Sequence, residues 1–298
     1  MRVFVTGASG FIGSAVVDEL IKAGHQVLGL ARSEESAKKL IAAGAEVHRG
    51  TLEDVDSLRS GVATTDATMH LGFIHDFSKF KENCETDRRA IRAMGGVLAG
   101  TDRPLIITSG TGLLTPDKLG LETDAPGFSA DVVPRVASEE AAAEMAAQGI
   151  NVSVVRLPPS VHGDGDRGFV PALINMAREK GVSAYPGEGA NLWPAVHRLD
   201  AAAVYRLILE KGAGPGAHYH AVADQGIPVR EIAEMIGKKL GIPVVSKSEA
   251  ERAEHFTWMA HFITMHCPSS SAWTRQQLGW TPTHVGLIED LENGTYFD

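Results

Sequence analysis

Thr6-Gly7-Ala8-Ser9-Gly10-Phe11-Ile12-Gly13 is the stretch that decides the fold, because it lies between a short apolar run and a helical pattern. Gly7 permits a tight turn after a strand, Gly10 lets the backbone approach a ligand, and Gly13 lets the helix pack against the strand. The N–H groups at the start of such a helix bind phosphate, helped by the helix dipole. The stretch therefore predicts a dinucleotide-binding turn, and the alternative is a purely structural turn.

Around this turn, short apolar runs alternate with helical patterns through the first half of the chain. The runs predicted as strands are Arg2–Val5, Gln26–Ala31, Glu46–His48, Ala67–Phe73, Pro104–Thr108 and Val152–Leu157. The helices predicted between or after them are Phe11–Ala23, a charged helix ending at Ala43, Glu82–Leu98 and Ser138–Gln148. Strands that are apolar on both faces, with helices between them, predict an α/β protein with a Rossmann-type, doubly wound parallel sheet.

The texture of the sequence changes after Pro158-Pro159, where Gly, Pro and aromatic residues become more frequent. Leu199–Leu209 and Val229–Leu240 still have helical spacing, and Ala217–Val222 reads as a strand. We therefore predict two domains. The dinucleotide-binding domain comprises residues 1–157 and 190–222, and a smaller C-terminal α/β substrate domain comprises residues 158–189 and 223–298.

Composition excludes several classes of protein. The 298 residues include 28 basic and 37 acidic side chains, a net charge of −9, which disfavours nucleic-acid and anionic-membrane partners because both need a basic face. The two cysteines, Cys84 and Cys267, are too few and too far apart for a disulfide framework. Neither a signal peptide nor a run of about 18 apolar residues is visible, so we expect a cytoplasmic protein.

The end of the second predicted strand indicates which dinucleotide is preferred. A site for NAD normally places a carboxylate there to hold the ribose 2′-hydroxyl, whereas this chain has Ala31 followed by Arg32 and Ser33. A guanidinium beside a hydroxyl suits a 2′-phosphate, and arginine can also stack on adenine. The pattern favours NADP, with NAD as a possible cofactor; the alternative is an ordinary surface arginine at a strand end.

Several motifs together resemble the short-chain dehydrogenase/reductase superfamily, specifically the NAD-dependent epimerase/dehydratase family in its extended branch. The matching segments, spread over nearly the whole chain, are the glycine turn, Gly50-Thr51-Leu52, His70-Leu71-Gly72-Phe73, Leu157–Gly163 and Val196–Ala201. The resemblance implies a homodimer through the fourth and fifth helices. Together with the glycine turn and the end of the second predicted strand, the resemblance identifies the candidate cofactor-binding residues. They are Gly7, Ser9, Gly10, Phe11, Ile12, Arg32, Ser33, Thr51, Leu52, Leu71, Gly72, Phe73, Pro158, Ser160 and Val161.

The catalytic positions depart from the family. The resemblance aligns Arg135 and Glu139 with the family's Tyr-x-x-x-Lys pair, and it places Ser109 and Thr111 on either side of the position of the catalytic Ser or Thr. Arginine is not deprotonated at neutral pH, so Arg135 would polarise a carbonyl or bind a carboxylate, and the final proton would come from Ser109, Thr111 or water. Glu139 would accept hydrogen bonds from ribose hydroxyls. The alternative is that Arg135 and Glu139 only pair with each other across one helical turn.

Two further groups of residues have both a functional and a structural interpretation. His218 and His220 share one face of a predicted strand, but neither they nor the C-terminal histidines have the spacing of a zinc site, so no metal is predicted. Phe256–Met265 is dense in large apolar residues. It would form either a lid or wall over a hydrophobic substrate, or the core of the small domain.

Three functions are compatible with these patterns. The first is an NADP-dependent oxidoreductase that transfers a hydride to or from a carbonyl or alcohol on a small-molecule substrate. The second is a nucleotide-sugar epimerase or dehydratase, which would need the missing tyrosine as a base. The third is a non-enzymatic NADP-binding sensor, which tolerates the loss of the catalytic pair.

Overall fold

The computed structural model describes residues 1–115, 118–212 and 214–298, with the backbone alone described for Phe77. Seven parallel strands form the main sheet, in the order β10-β6-β5-β4-β1-β2-β3. These strands are β1 (Arg2–Thr6), β2 (Gln26–Ala31), β3 (Glu46–Arg49), β4 (Ala67–His70), β5 (Leu105–Gly110), β6 (Val152–Leu157) and β10 (His218–His220). The strand order reverses between β1 and β4, as a doubly wound Rossmann-type sheet requires.

Helices cover both faces of this sheet. They are α1 (Phe11–Lys22), α2 (Glu34–Ala42), α3 (Val55–Ala63), α4 (Phe80–Leu98), α5 (Ala137–Ala147) and α7 (Arg198–Lys211). Successive residues of β1 point to opposite faces: Val3 and Val5 join the core cluster under α1 and α7, and Phe4 joins the cluster under α3, α4 and α5. The sheet is therefore buried on both sides, which explains why its strands read as continuous apolar runs.

The remaining elements form a smaller region with its own core. Its strands are β7 (Ser160–His162), β8 (Ser183–Pro186), β9 (Leu192–His197), β11 (Asp224–Pro228) and β12 (Val244–Lys247), paired in a β11-β9-β7 sheet and a β12-β8 ribbon. Its helices are α6 (Phe169–Lys180), α8 (Val229–Leu240), α9 (Glu249–Phe256) and α11 (Leu287–Asn293), whereas α10 (Ala272–Leu278) packs through Leu278 on the core of the main sheet. Trp193 lies fully buried within this core. The predicted domain boundaries remain a prediction.

The fold class predicted from the sequence is confirmed, with two local corrections. The predicted strand Ala67–Phe73 ends at His70, because residues 71–73 leave the sheet and turn towards the glycine loop. The sequence reading also missed α3, where Gly61 has no room for a side chain: a Cβ there would lie 2.5 Å from the Phe4 ring. Within the described residues, no helix is long and apolar enough to span a membrane.

The expected homodimer would use α4 and α5, which already contact each other within the chain. Arg88 on α4 pairs with Glu140 on α5 at 2.8 Å, and Arg92 pairs with Glu144 one turn further along both helices. Assembly of two copies through these helices remains a prediction.

Candidate functional site

The glycine turn closes tightly on itself and on the end of β4. Gly7 has a φ of +66°, and a Cβ on it would lie 2.7 Å from Gly72 N. The Gly10 N–H donates to Gly7 O at 2.9 Å, and a Cβ on Gly13 would lie only 2.0 Å from that same oxygen. Each contact involves backbone that cannot rotate away, so the turn requires glycine at positions 7 and 13.

The first turn of α1 is left open for an anion. Gly10 is its N-cap and, within the described part of the chain, no side chain caps it and no acidic residue lies in its first turn. By contrast, Ser33 caps α2 and Asp54 caps α3. Free N–H groups at a helix start bind phosphate, so this cradle fits a dinucleotide diphosphate. Of the residues expected here, Gly10 is exposed, and the half-buried ones are Gly7, Ser9, Phe11 and Ile12.

The end of β2 presents one unengaged arginine. Ala31 is buried, whereas Arg32 is exposed and makes no ion pair or hydrogen bond with any residue that the structure describes. The Ser33 hydroxyl accepts the Ser36 N–H at 3.2 Å as the cap of α2. The nearby carboxylate of Glu34 is paired with Arg49 at 2.6 Å. The guanidinium of Arg32 is therefore a cation without an acidic partner among the described residues.

The segments after β3 and β4 meet beside the glycine turn. The Gly50 N–H donates to Ala31 O at 3.3 Å, which brings the following residues to the end of β2. A Cβ on Gly72 would lie 3.1 Å from Leu52 Cδ2, so the two segments touch. All five cofactor candidates in these segments are half-buried: Thr51, Leu52, Leu71, Gly72 and Phe73.

Arg135 lies at the carboxyl end of β5 and against Phe73. It belongs to the short 3-10 turn Pro134–Val136, which leads directly into α5. Its guanidinium carbon stacks 4.4 Å from the centre of the Phe73 ring, and Nη2 donates to Thr108 O at 3.0 Å. Arg135 and Phe73, predicted for catalysis and for cofactor binding respectively, are therefore in direct contact.

Asp87 on α4 fixes the other edge of this guanidinium. Arg135 Nη1 donates to Asp87 Oδ2 at 3.2 Å and also contacts Ser138 Oγ, which itself donates to Asp87. Asp87 is only 2% exposed. Burial raises the pKa of its carboxyl, but the charge of Arg135 and the hydrogen bonds from His70 and Ser138 outweigh burial and hold the pKa below its usual value. Asp87 is thus a buried carboxylate that orients Arg135.

A chain of hydrogen bonds links Asp87 to the glycine turn. His70 Nε2 lies 2.9 Å from Asp87 Oδ1, and His70 Nδ1 lies 2.7 Å from Thr6 Oγ1. The Gly72 N–H donates to Thr6 Oγ1 at 3.1 Å. Because the Asp87 carboxylate can only accept, we assign the His70 proton to Nε2, and Nδ1 then accepts from the Thr6 hydroxyl. The position of Arg135 and the shape of the cofactor turn are therefore set by one network.

Arg135 keeps donors available for a substrate. A guanidinium has five N–H donors, and those pointing at Asp87, Ser138 and Thr108 account for three of them. The Nε–H and one Nη2–H make no hydrogen bond with a described residue. The side chain is 19% exposed, so it is held in place yet reachable. Such a group can stabilise negative charge on a substrate oxygen.

Glu139 points away from Arg135 and into the protein. Its Oε1 accepts from Ser109 at 2.6 Å, and Arg156 donates to both carboxylate oxygens at 2.9 and 2.7 Å. Glu139 is 4% exposed and Arg156 is fully buried. Burial raises the pKa of Glu139, but hydrogen bonds from His218 and Arg156 outweigh it and lower the pKa to about 2. The alternative interpretation, in which Arg135 and Glu139 pair with each other, is wrong, because Arg135 pairs with Asp87 and Glu139 with Arg156.

The two strand histidines belong to this buried network. His218 Nε2 lies 3.5 Å from Glu139, and His220 Nε2 lies 3.4 Å from Arg156 Nη1. Burial lowers the pKa of His220 to about 4, so it is neutral near pH 7. Among the described residues there is no group of three His, Cys, Asp or Glu side chains that could hold a metal ion.

The other predicted site residues lie at the carboxyl ends of β5 and β6 and in β7. Ser109 is buried against Glu139, and Thr111 is buried beside Cys267, whose thiol pKa burial raises to about 12. Gly110 pairs with Leu157, which sets the next segment beside the end of β5. There, Pro158 and Ser160 are buried and Val161 is half-buried. Thr111 is thus directed at the C-terminal segment, whereas Ser109 is directed at Glu139.

Sequence reasoning missed Asp87 and Arg156, although both carried a signal. Asp87 lies on the face of α4 that also carries Ile91 and Met94, so it was an acid on an otherwise buried apolar stripe. Arg156 is the one charged residue within the buried strand Val152–Leu157. A charge in such a place needs a partner, and that requirement could have pointed to both residues.

A doubly wound parallel sheet with an open phosphate cradle at the start of α1 is typical of dinucleotide-binding proteins. The sequence profile of the family described as "NAD dependent epimerase/dehydratase family" matches residues 3–101. With the relatives described next, this shows that the chain belongs to that family, in the extended branch of the short-chain dehydrogenases/reductases. The prediction of an NAD(P)-dependent enzyme is confirmed at the level of the family.

Three known proteins illustrate the similarity. An uncharacterized protein of Schizosaccharomyces pombe is 53% identical over 298 residues, which is 100% of both chains. A 2-alkyl-3-oxoalkanoate reductase of Stenotrophomonas maltophilia is 30% identical over 266 residues, covering 83% of this chain and 78% of the relative. The crystal structure of a Thermotoga maritima UDP-glucose 4-epimerase with UDP-glucose has a TM-score of 0.78 at 20% identity, covering 100% of this chain and 98% of the other. The last likeness concerns the fold alone.

Proposed function

We propose that the protein is an NADP-preferring oxidoreductase that transfers a hydride to or from a carbonyl or alcohol, with Arg135 in place of the family's tyrosine. The observation that carries this proposal is the environment of Arg135. Its guanidinium is oriented by Asp87 and Thr108, stacked on Phe73, and still has two N–H donors free of described partners. A fixed cation at this point suits an oxygen that gains negative charge.

The preference for NADP is supported by the end of β2. Ala31 offers no carboxylate for a ribose 2′-hydroxyl, and exposed Arg32 has no acidic partner among the described residues. Ser33 N-caps α2, so the N-terminus of that helix lies beside Arg32. Glu34 is held by Arg49 and thus partly neutralised. A guanidinium next to a helix start is suited to the 2′-phosphate of NADP.

The chemistry follows from what these residues can do. A bound nicotinamide would supply or accept the hydride. In the reductive direction, Arg135 would bind the carbonyl oxygen and stabilise the alkoxide that forms when the carbon receives the hydride. Arginine keeps its protons at neutral pH, so the alkoxide takes its proton from water that enters the cleft. Asp87 and His70 hold the guanidinium in position during this change of charge.

For Ser109 and Glu139 we propose a structural role in place of the catalytic role expected from the sequence. Both oxygens of Glu139 are engaged by Arg156, and Ser109 donates to one of them. These contacts support a structural role, in which the pair anchors α5 and thereby the neighbouring Arg135. Ribose binding by Glu139 remains the competing prediction. The NADPH affinity of the double variant Glu139→Gln/Arg156→Met distinguishes the two roles.

A relative and the missing base favour a reductase over an epimerase. The 2-alkyl-3-oxoalkanoate reductase of Stenotrophomonas maltophilia is named for reduction of a keto group and aligns over 83% of this chain. Epimerisation or dehydration by transient oxidation needs a base that removes a hydroxyl proton, and Arg135 cannot supply one, so the site suits hydride transfer to a carbonyl better than hydride removal from an alcohol. Reduction needs charge stabilisation and a proton from water, which this site can provide.

The test is turnover of NADPH with a panel of 3-oxo esters and aliphatic ketones. We expect wild-type protein to consume NADPH and Arg135→Ala to lose about 10²-fold to 10³-fold in kcat with NADPH affinity retained. Arg135→Lys should fall between the two, because lysine keeps the charge but not the fork of donors. Arg59→Ala, which removes an exposed arginine on α3, is the matched control and should behave as wild type.

Two outcomes would overturn the proposal. If NADPH binds but no carbonyl compound is reduced, the sensor interpretation replaces the enzyme. If Arg135→Ala turns over as fast as wild type, the arginine has only a structural role and another group stabilises the oxyanion.

A further inference from the structure

Three aromatic rings form a continuous surface in the smaller region, which we call the aromatic wall: Phe169, Trp258 and Phe262. The Phe169 ring centre lies 5.1 Å from that of Phe262 and 6.2 Å from that of Trp258, and the last two are 6.2 Å apart. Trp258 is 48% exposed, whereas Phe169 and Phe262 are half-buried. Such spacing is that of favourable ring contacts, so the wall is a preformed apolar surface.

The wall is rigidly backed by the core of the smaller region. Met259 and Ile263 alternate with the wall residues and are fully buried, and Phe169 also contacts buried Trp193 at 5.7 Å. Segment Phe256–Met265 was expected to be either core or a wall over a substrate. The structure shows that it is divided: Phe256, Met259 and Ile263 belong to the core, and Trp258 stays at the surface.

The backbone is strained where the wall begins. Thr257 is the single non-glycine residue with a positive φ, at +49°, in the described ranges 1–115, 118–212 and 214–298. It ends α9 and redirects the chain into the 3-10 turn Thr257–Met259, so that Phe256 is buried and Trp258 is outside. A threonine in that conformation persists only where surrounding contacts impose it, and such residues cluster at ligand-binding sites.

The segment that carries Trp258 and Phe262 continues to the carboxyl end of β5. A Cβ on Gly112 would lie 3.3 Å from Met265 Sδ, so Met265 touches the segment that follows Ser109 and Gly110. Asn191 holds this part of the chain by donating to Ile263 O and Met265 O, both at 2.9 Å. Phe262 precedes Met265 by three residues, a reach of at most about 11 Å. The wall is therefore joined by a short, anchored segment to the chain that follows β5.

We infer that the aromatic wall binds an uncharged apolar chain or ring carried by the carbonyl substrate. This inference rests on the proposed function for the reacting end and adds the class of the rest of the substrate. Residues 256–265 contain no Lys, Arg, Asp or Glu, so the wall offers no cation to a nucleotide diphosphate. The exposed part of Trp258 and its two half-buried neighbours instead gain free energy when an apolar group covers them.

The test measures binding without turnover. Straight-chain primary alcohols from butanol to decanol are titrated into the full-length protein by calorimetry, with and without saturating NADPH, which cannot oxidise an alcohol. With NADPH bound, we expect affinity to rise about twofold to fourfold per added methylene, the upper limit being full burial of each group. Trp258→Ala should flatten this dependence, and Trp258→Phe should restore most of it.

A control and two outcomes make the test decisive. Ile41→Ala removes a 65% exposed apolar side chain from α2 and should keep the wild-type dependence on chain length. The assignment of the wall is overturned if affinity for the alcohols does not rise with chain length in wild type. It is also overturned if folded Trp258→Ala keeps the wild-type rise. Absence of NADPH binding together with a steep dependence would overturn the proposed function alone and leave the wall in place.

Discussion

The buried Glu139–Arg156 pair gives the prediction with the best-defined magnitude. Arg156 is 0% exposed and Glu139 is 4% exposed, and Arg156 donates to both carboxylate oxygens. We expect Glu139→Gln to lower the free energy of unfolding by about 3–5 kcal/mol, because it leaves the Arg156 charge buried without a partner. The double variant Glu139→Gln/Arg156→Met removes both charges and should recover most of that loss.

The pH dependence of stability provides a second measure of the same pair. Hydrogen bonds from His218 and Arg156 hold the pKa of Glu139 at about 2, against an ordinary value of 4.5. A pKa that is lower in the folded state contributes stability above pH 4.5, and this contribution is lost as the pH falls through the folded value of about 2. The interval corresponds to about 3 kcal/mol at 1.36 kcal/mol per pH unit. Glu139→Gln should lack this part of the acid dependence.

The assay is urea unfolding at several pH values, followed by tryptophan fluorescence and circular dichroism. Asp56→Asn, which breaks the exposed pair with Arg59, is the matched control and should change the free energy of unfolding by less than about 1 kcal/mol. If Glu139→Gln also lowered the free energy of unfolding by less than about 1 kcal/mol, the predicted cost of an unpaired, buried Arg156 would be wrong. NADPH affinity of the double variant decides the role of Glu139: unchanged affinity supports a structural residue, and a large loss supports ribose binding.

Three further changes test the cofactor site. Ala31→Asp combined with Arg32→Ala should reverse the preference from NADPH to NADH, because it supplies a ribose carboxylate and removes the cation for the 2′-phosphate; unchanged relative affinities in calorimetry would contradict this. Gly13→Ala should cost about 1–3 kcal/mol of stability and abolish nucleotide binding, since its Cβ would lie 2.0 Å from Gly7 O. Gly96→Ala, where nothing lies within 4 Å, is its control and should be neutral or stabilising.

The sequence was sufficient to predict the fold because the relevant signals are local. The turn at Gly7 and Gly13, the apolar runs and the helix ends all depend on neighbours within a few residues, and the seven-stranded parallel sheet follows from them. The smaller region was harder to predict, because the pairing of β9 with β11 and of β8 with β12 joins segments far apart in the chain. Pairing of that kind leaves no periodic pattern.

The candidate site was predictable only in part, because its key contacts are non-local. Arg135 was recognised as a departure from the family, but its partner Asp87 lies 48 residues away on α4. Glu139 was expected to face the cofactor, whereas its contacts are with Arg156 on β6. A family motif predicts which position in the sequence carries a charged side chain. The direction of that side chain depends on which oppositely charged partner the fold brings near it.

The face of β6 on which Arg156 lies decides where the Glu139 carboxylate is held. Because side chains of a strand alternate between faces, Arg156 points to the face of β6 opposite to that of Leu157. Glu139 lies on the same face as Arg156 and pairs with it at 2.7 Å. Restoring a lysine through Glu139→Lys would place two cations together, so we expect that variant not to fold.

Calorimetric titration of the wild-type protein with NADPH and with NADH tests the central claim most directly. The open helix start after Gly10 and the unengaged Arg32 predict saturable binding of both nucleotides, with NADPH the tighter by about tenfold or more. Equal affinities would contradict the assignment of Arg32. No heat with either nucleotide would contradict the dinucleotide site itself and, with it, the proposed oxidoreductase.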